Sequence, residues 1–156
     1  FHGLLHAIRS QLGTLAEAGA GNGMLPEEQN ALAGQLIAGI LSYLDAHPAF
    51  LRLDAMTYSV LEQNLSEAFL RDFKIGLTQA LTATGTILDQ ALQLPEGRGA
   101  SLLLRSHALI RGLWQSLDYP AHLRQLLNAP EFAAIRPDFR TELQQALAEY
   151  WRGALA

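Results

Sequence analysis

The chain has 156 residues, no cysteine, a net charge of −4 and 49% apolar side chains. This length suits one domain with one ordinary core. The absence of cysteine excludes disulfides, thiolate metal sites and a Cys nucleophile, and it fits a reducing cytoplasm.

The 11 basic residues are scattered and include a single lysine, Lys74. Nucleic-acid affinity rests on clustered Lys and Arg at phosphates, so these residues by themselves make no DNA-binding surface. No apolar run approaches the roughly 20 residues of a membrane span. Charged residues are 17% of the chain, against a typical value of about 25%. So little charge for so much apolar surface implies a second buried face, such as a dimer seam.

Few β-branched residues and no alternating run argue against strands, while Leu, Ala, Gln and Glu favour helix. The expected fold is all-α, a multi-helix bundle of about seven helices. The first helix is predicted up to residue 18, with Phe1, Leu4, Leu5, Ile8, Leu12 and Leu15 on one stripe. It opens on a core residue without Met or a cap, so the expectation is a helix that continues sequence upstream. Gly19 to Gly23 form a breaker.

Pro26 with Glu27 and Glu28 suits the first turn of a second helix to about residue 46. Its inward residues are Leu32, Leu36, Ile37, Ile40, Leu41, Tyr43 and Leu44. His47-Pro48 breaks it. A third helix is predicted over residues 49–63, with Phe50, Leu53, Met56, Tyr58, Val60 and Leu61. Asn64 followed by Glu67 has the pattern of a capping box.

The fourth helix is predicted over residues 65–92, with Leu65, Phe69, Phe73, Leu77, Leu81, Thr84, Ile87, Leu88 and Leu92 on one half and Ile75 as a misfit. Residues 95–99 form a turn. The fifth helix, residues 100–117, carries two adjoining stripes. One is Leu103, His107, Ile110, Trp114 and Leu117; the other is Leu102, Ser106, Leu109, Leu113 and Ser116. A helix apolar over two faces is buried on both. A short sixth helix follows Pro120, then a loop or single turn between Pro130 and Pro137. A last helix is predicted over residues 138–155, with Phe139, Leu143, Ala146, Leu147, Tyr150 and Ala154 inward and Trp151 at the edge.

The second stripe of the fifth helix and the face of the last supply the dimer candidates: Leu102, Leu109, Leu113, Leu143, Leu147, Tyr150 and Trp151. Two helices from each copy would make a four-helix seam. The bland reading is that these stripes meet within one chain. His2 and His6 have the i, i+4 spacing of a helical metal site, but no third ligand is placed, so no metal is expected. Arg52 with Asp54 and Arg71 with Asp72 read as solvated charges. No Ser/His/Asp order, phosphate-cradling Gly loop or paired carboxylate appears, so no catalytic residue and no cofactor are expected.

Several stretches resemble the C-terminal domain of the TetR family of transcriptional regulators. Phe1-His2-Gly3-Leu4-Leu5 is similar to the start of that family's linker helix. Asp45-Ala46-His47-Pro48-Ala49-Phe50 is similar to the break after the next helix. Leu61-Glu62-Gln63-Asn64 through Phe73-Lys74 resembles the junction into the long central helix. Ala108-Leu109-Ile110-Arg111-Gly112-Leu113-Trp114 resembles the "GL" helix used in dimerisation.

The resemblance implies that residues 1–156 form an effector-binding and dimerisation domain of a bacterial repressor. Residues 1–18 would serve as the linker to an N-terminal helix-turn-helix unit that is absent from this chain. Operator DNA would be bound only through that unit. A small, mainly apolar or aromatic effector would enter among the middle helices and tilt the first helix, altering the spacing of two DNA-reading heads. Phe50, Met56, Tyr58, Phe69, Phe73, His107 and Trp114 are the candidate lining, with ordinary core packing as the bland reading. The alternative is a stand-alone helical homodimer that serves protein interaction without ligand.

Overall fold

The computed structural model describes residues 1–16, 24–56 and 64–156. Among the described residues every regular element is helical: α1 (His2–Ala16), α2 (Pro26–Ala46), α3 (Phe50–Met56), α4 (Glu67–Leu92), α5 (Arg98–Leu117), α6 (Ala121–Leu126) and α7 (Phe139–Leu155). A 3₁₀ helix, Pro130–Ile135, joins α6 to α7. The second half of the predicted third helix, with Tyr58, Val60 and Leu61, lies outside the described residues.

Helix ends follow local chemistry. Pro26 opens α2, and Glu28 reaches back to accept the Leu25 N–H at 2.8 Å. Ser66, two residues after the expected Asn64, caps α4 by accepting the Phe69 N–H at 3.3 Å. Asp138 caps α7 by accepting from Thr141 N and Oγ1 at 2.9 and 2.7 Å. These caps satisfy backbone N–H groups that an open helix end leaves orphaned. Gly97, at φ +80°, turns the chain into α5 in a conformation that favours glycine.

The core gathers Leu4, Leu5, Ile8 and Leu12 of α1 with Leu36, Ile37, Ile40 and Leu41 of α2. Leu88 and Leu92 of α4, Leu102, Leu103 and Ile110 of α5, and Leu143, Leu147 and Trp151 of α7 complete it. α4 and α5 cross closely: a Cβ on Gly85 would sit 2.5 Å from the Ala100 nitrogen. The buried carboxylate of Asp89 clamps the same corner, accepting Gly97 N–H at 2.7 Å and Gly99 N–H at 2.5 Å.

Two expectations are corrected. The first part of the second stripe of α5, Leu102 and Ser106, is covered by α7 of the same chain, whereas Leu109 and Leu113 are half-buried and Ser116 exposed; Leu102, Leu143 and Leu147 are 0% exposed and Trp151 1%. The Trp151 Nε1–H donates to Ser106 Oγ at 2.8 Å, which explains a serine in that stripe. These four apolar residues are therefore internal packing and have no surface to give a second copy. The apolar half of α4 is buried only toward its C-terminal end. From Glu67 to Ile75 the helix is exposed except at half-buried Leu70, because its tight crossing with α5 lies at Gly85, farther along.

Candidate functional site

An open cleft of about 320 Å³ lies where the end of α2, the following turn, α3, α5 and the start of α7 meet. Leu41 and Leu44 of α2, Leu51 of α3 and Leu143 of α7 form its buried apolar floor. Half-buried Trp114 of α5 and Phe139 of α7 supply aromatic walls. The polar rim is Asp45, His47 and Arg140. A few placed polar groups around an apolar hollow is the usual make-up of a small-molecule site.

The rim is held by local chemistry. His47 ends α2, and its ring stacks on Tyr43 at 4.2 Å. Its Nδ1 lies 2.8 Å from the Tyr43 carbonyl. A carbonyl only accepts, so that nitrogen carries the proton and donates, leaving Nε2 as the second hydrogen-bonding atom. Arg140 Nε donates to both Asp45 oxygens, at 2.8 and 3.1 Å, joining α7 to α2 across the cleft. With the Arg140 and Asp45 side chains 45% and 52% exposed, this pair contributes only about 0–1 kcal/mol.

A second polar group lies one turn farther along α3. Asp54 and His107 are both buried, and His107 Nε2 donates to Asp54 Oδ2 at 2.9 Å. The Phe1 ring stacks on the His107 imidazole at 4.0 Å, with 18° between the planes. The Phe1 backbone nitrogen lies 3.4 Å from Asp54 Oδ1. Burial alone would push the Asp54 carboxyl up. The hydrogen bond and electrostatic attraction of His107 outweigh it and hold the acid below its usual value of 3.8. The start of α1, the middle of α3 and the middle of α5 are thus tied at one point. Leu51 of the cleft floor is one turn from Asp54, and Trp114 of its wall is two turns from His107.

A family model for tetracyclin repressor-like C-terminal domains matches residues 10–156. The chain belongs to that family. Such domains serve regulators as effector-binding and dimerisation units and are generally non-enzymatic. No curated protein and no solved structure matches this chain. Among the described residues of this TetR-like domain no helix is long and apolar enough to cross a membrane, and no group of His, Asp and Glu is arranged to hold a metal.

The structure scatters the sequence-derived lining of the TetR-like domain. Trp114 faces the cleft. Phe50 is half-buried and meets Tyr43 edge to face at 5.5 Å. His107 is buried and paired with Asp54. Met56, Phe69 and Phe73 are exposed by 45%, 56% and 41% and take no part in the cleft. Tyr58 lies outside the described residues. Of the dimer candidates, Leu109, Leu113 and Tyr150 remain half-buried beside the four internal ones. His2 and His6 are both exposed.

Sequence reasoning missed Asp54, Asp45, His47 and Arg140. Asp54 was readable: it stands three residues after Leu51 and four after Phe50, on the inward face of α3. The Asp45–Arg140 bridge spans 95 positions and leaves no local signal.

Proposed function

We propose that this chain is the ligand-sensing and dimerisation domain of a TetR-like transcriptional repressor, in which a small molecule releases DNA from the intact protein. The reading is supported by the cleft and its place in the fold. Two of its walls, α3 and α5, are the helices that Asp54 and His107 join to Phe1, the residue just before α1. A molecule that spreads α3 from α5 must stretch that pair or move Phe1 with it. In the intact repressor α1 would lead into the DNA-reading unit, and half-site spacing of about one helical turn makes small displacements costly. The ligand acts only through its different affinity for the two arrangements.

For dimerisation the surface that remains on α5 is Leu104, 53% exposed, with Ala108 and Gly112 at four-residue spacing and Leu109 and Leu113 beside them. A Cβ on Gly112 would meet nothing within 4 Å, so a second helix has room to approach. α7 adds Gln144, Ala148 and Leu155 on its outer face. Two such pairs form the four-helix seam, shifted from the residues chosen by sequence to their outward neighbours.

A thermal-shift screen of single-ring compounds, read together with Trp114 fluorescence, tests the sensing role. Stabilisation of about 2.7 kcal/mol is expected at 100 times the dissociation constant. A library that never moves either signal contradicts the reading. Light scattering tests the seam: the parent chain runs as a dimer and Ala108→Arg as a monomer. A monomeric parent removes the seam.

A further inference from the structure

We propose that the cleft takes a small apolar carboxylate, in the simplest case a single-ring acid, whose carboxylate replaces Asp45 on Arg140. The proposal rests on the sensing reading and names its ligand class. The hollow, at about 320 Å³, is at the small end of the roughly 300–1,000 Å³ that ligand pockets span. One ring fits this volume, resting on Leu44, Leu51 and Leu143 between Trp114 and Phe139.

The polar end of that ligand is set by Arg140. Asp45 uses only the Nε–H of the guanidinium, with both oxygens. The two terminal nitrogens make no hydrogen bond among the described residues, although a guanidinium presents its donors in a fork matched to a carboxylate. A ligand carboxylate in the cleft takes the Nε–H and a terminal N–H of that fork together, a two-donor pairing that Asp45 does not make, with an apolar body already seated. The bond it displaces is an exposed pair, and Asp45 returns to water at little cost.

The neighbouring charges permit this. Asp138, two residues before Arg140, is turned to Thr141 N and Oγ1 at the α7 cap, exposed and screened. A cationic ligand would face Arg140 with Asp45 already engaged on both oxygens. A phosphate would need more donors than the rim supplies beside an apolar floor. His47, with its proton held toward Tyr43, adds no negative charge.

Benzoate and its neutral isostere benzamide form the test, titrated into the whole chain with Trp114 fluorescence and melting temperature as readouts. Benzoate is expected to bind and benzamide to bind at least tenfold more weakly. Arg140→Gln weakens benzoate about tenfold, the value of a charge-assisted hydrogen bond, and leaves benzamide unchanged. Asp45→Asn acts in the opposite sense, tightening benzoate by up to about fivefold by removing the competitor. A rim that merely braces the fold would not give opposite signs.

Equal binding of the acid and the amide overturns the proposal while leaving the sensing role standing. So does benzoate binding that ignores both substitutions. Silence from benzoate and other single-ring acids, with a signal from neutral compounds, overturns it in the same way. Silence from every compound removes the sensing role as well.

Discussion

The two ends of α5 are built differently. Its first half is locked. Asp89 holds its entry, Gly85 and Gly99 let α4 lie against its backbone, and Ser106 bonds the indole of Trp151. Its second half faces the open cleft through Trp114, and at its midpoint His107 makes a buried hydrogen bond to a short helix. Close packing at one end supplies the stability that allows a hollow and an exchangeable rim at the other. Interiors at native density have few discrete arrangements, so displacement is concentrated where packing is incomplete.

The comparison breaks most severely at the locked end. Trp151→Ala removes a side chain that is 1% exposed and orphans Ser106. A loss of about 3–5 kcal/mol in denaturant unfolding is expected. A loss under 1 kcal/mol would mean that α7 is loosely held. Gly85→Ala pushes a methyl group into the Ala100 backbone, which cannot bend away as a flexible side chain would. The expected loss is about 1–3 kcal/mol, whereas Gly13→Ala or Gly34→Ala, in open space, should be neutral or stabilising.

At the responsive end the effects are smaller and depend on pH. The Asp54 pKa is lowered in the fold. Its contribution is therefore fully present above the unfolded value and is lost as pH falls through the lower folded value. Asp54→Asn should cost about 1.5–3 kcal/mol near neutrality, and the gap to the parent should close in acid. A gap that stays constant down to pH 2 would show that the carboxylate charge does not matter. Least of all, Arg140→Gln should change stability by about 0–1 kcal/mol. Any larger loss by thermal melting would make the rim a structural brace.

Most of the fold was legible because it rests on local rules. The α2 limits follow from Pro26 and His47-Pro48, and α7 begins at Phe139, one residue after the predicted start. Legibility failed where the answer depended on which surface covers which. The doubly apolar α5 was a correct observation, but a period of 3.6 cannot say whether a stripe is covered by its own chain or by another. Phe69 and Phe73 have the right spacing for burial, yet the helix that carries them packs only after residue 76. The site was least legible. Among the described residues of the chosen lining only Trp114 reaches the cleft, whose polar rim pairs residues far apart in the chain. Asp54 was taken for a solvated charge because its partner lies 53 positions away.

Amide hydrogen exchange on the parent chain and Asp54→Asn, compared peptide by peptide, tests most directly that α3 and α5 hold the start of α1 through one buried pair. Faster exchange is predicted for residues 5–9 and for α3, with residues 86–92 and 99–106 unchanged. Equal acceleration at both ends, or an undisturbed first helix, would contradict the account.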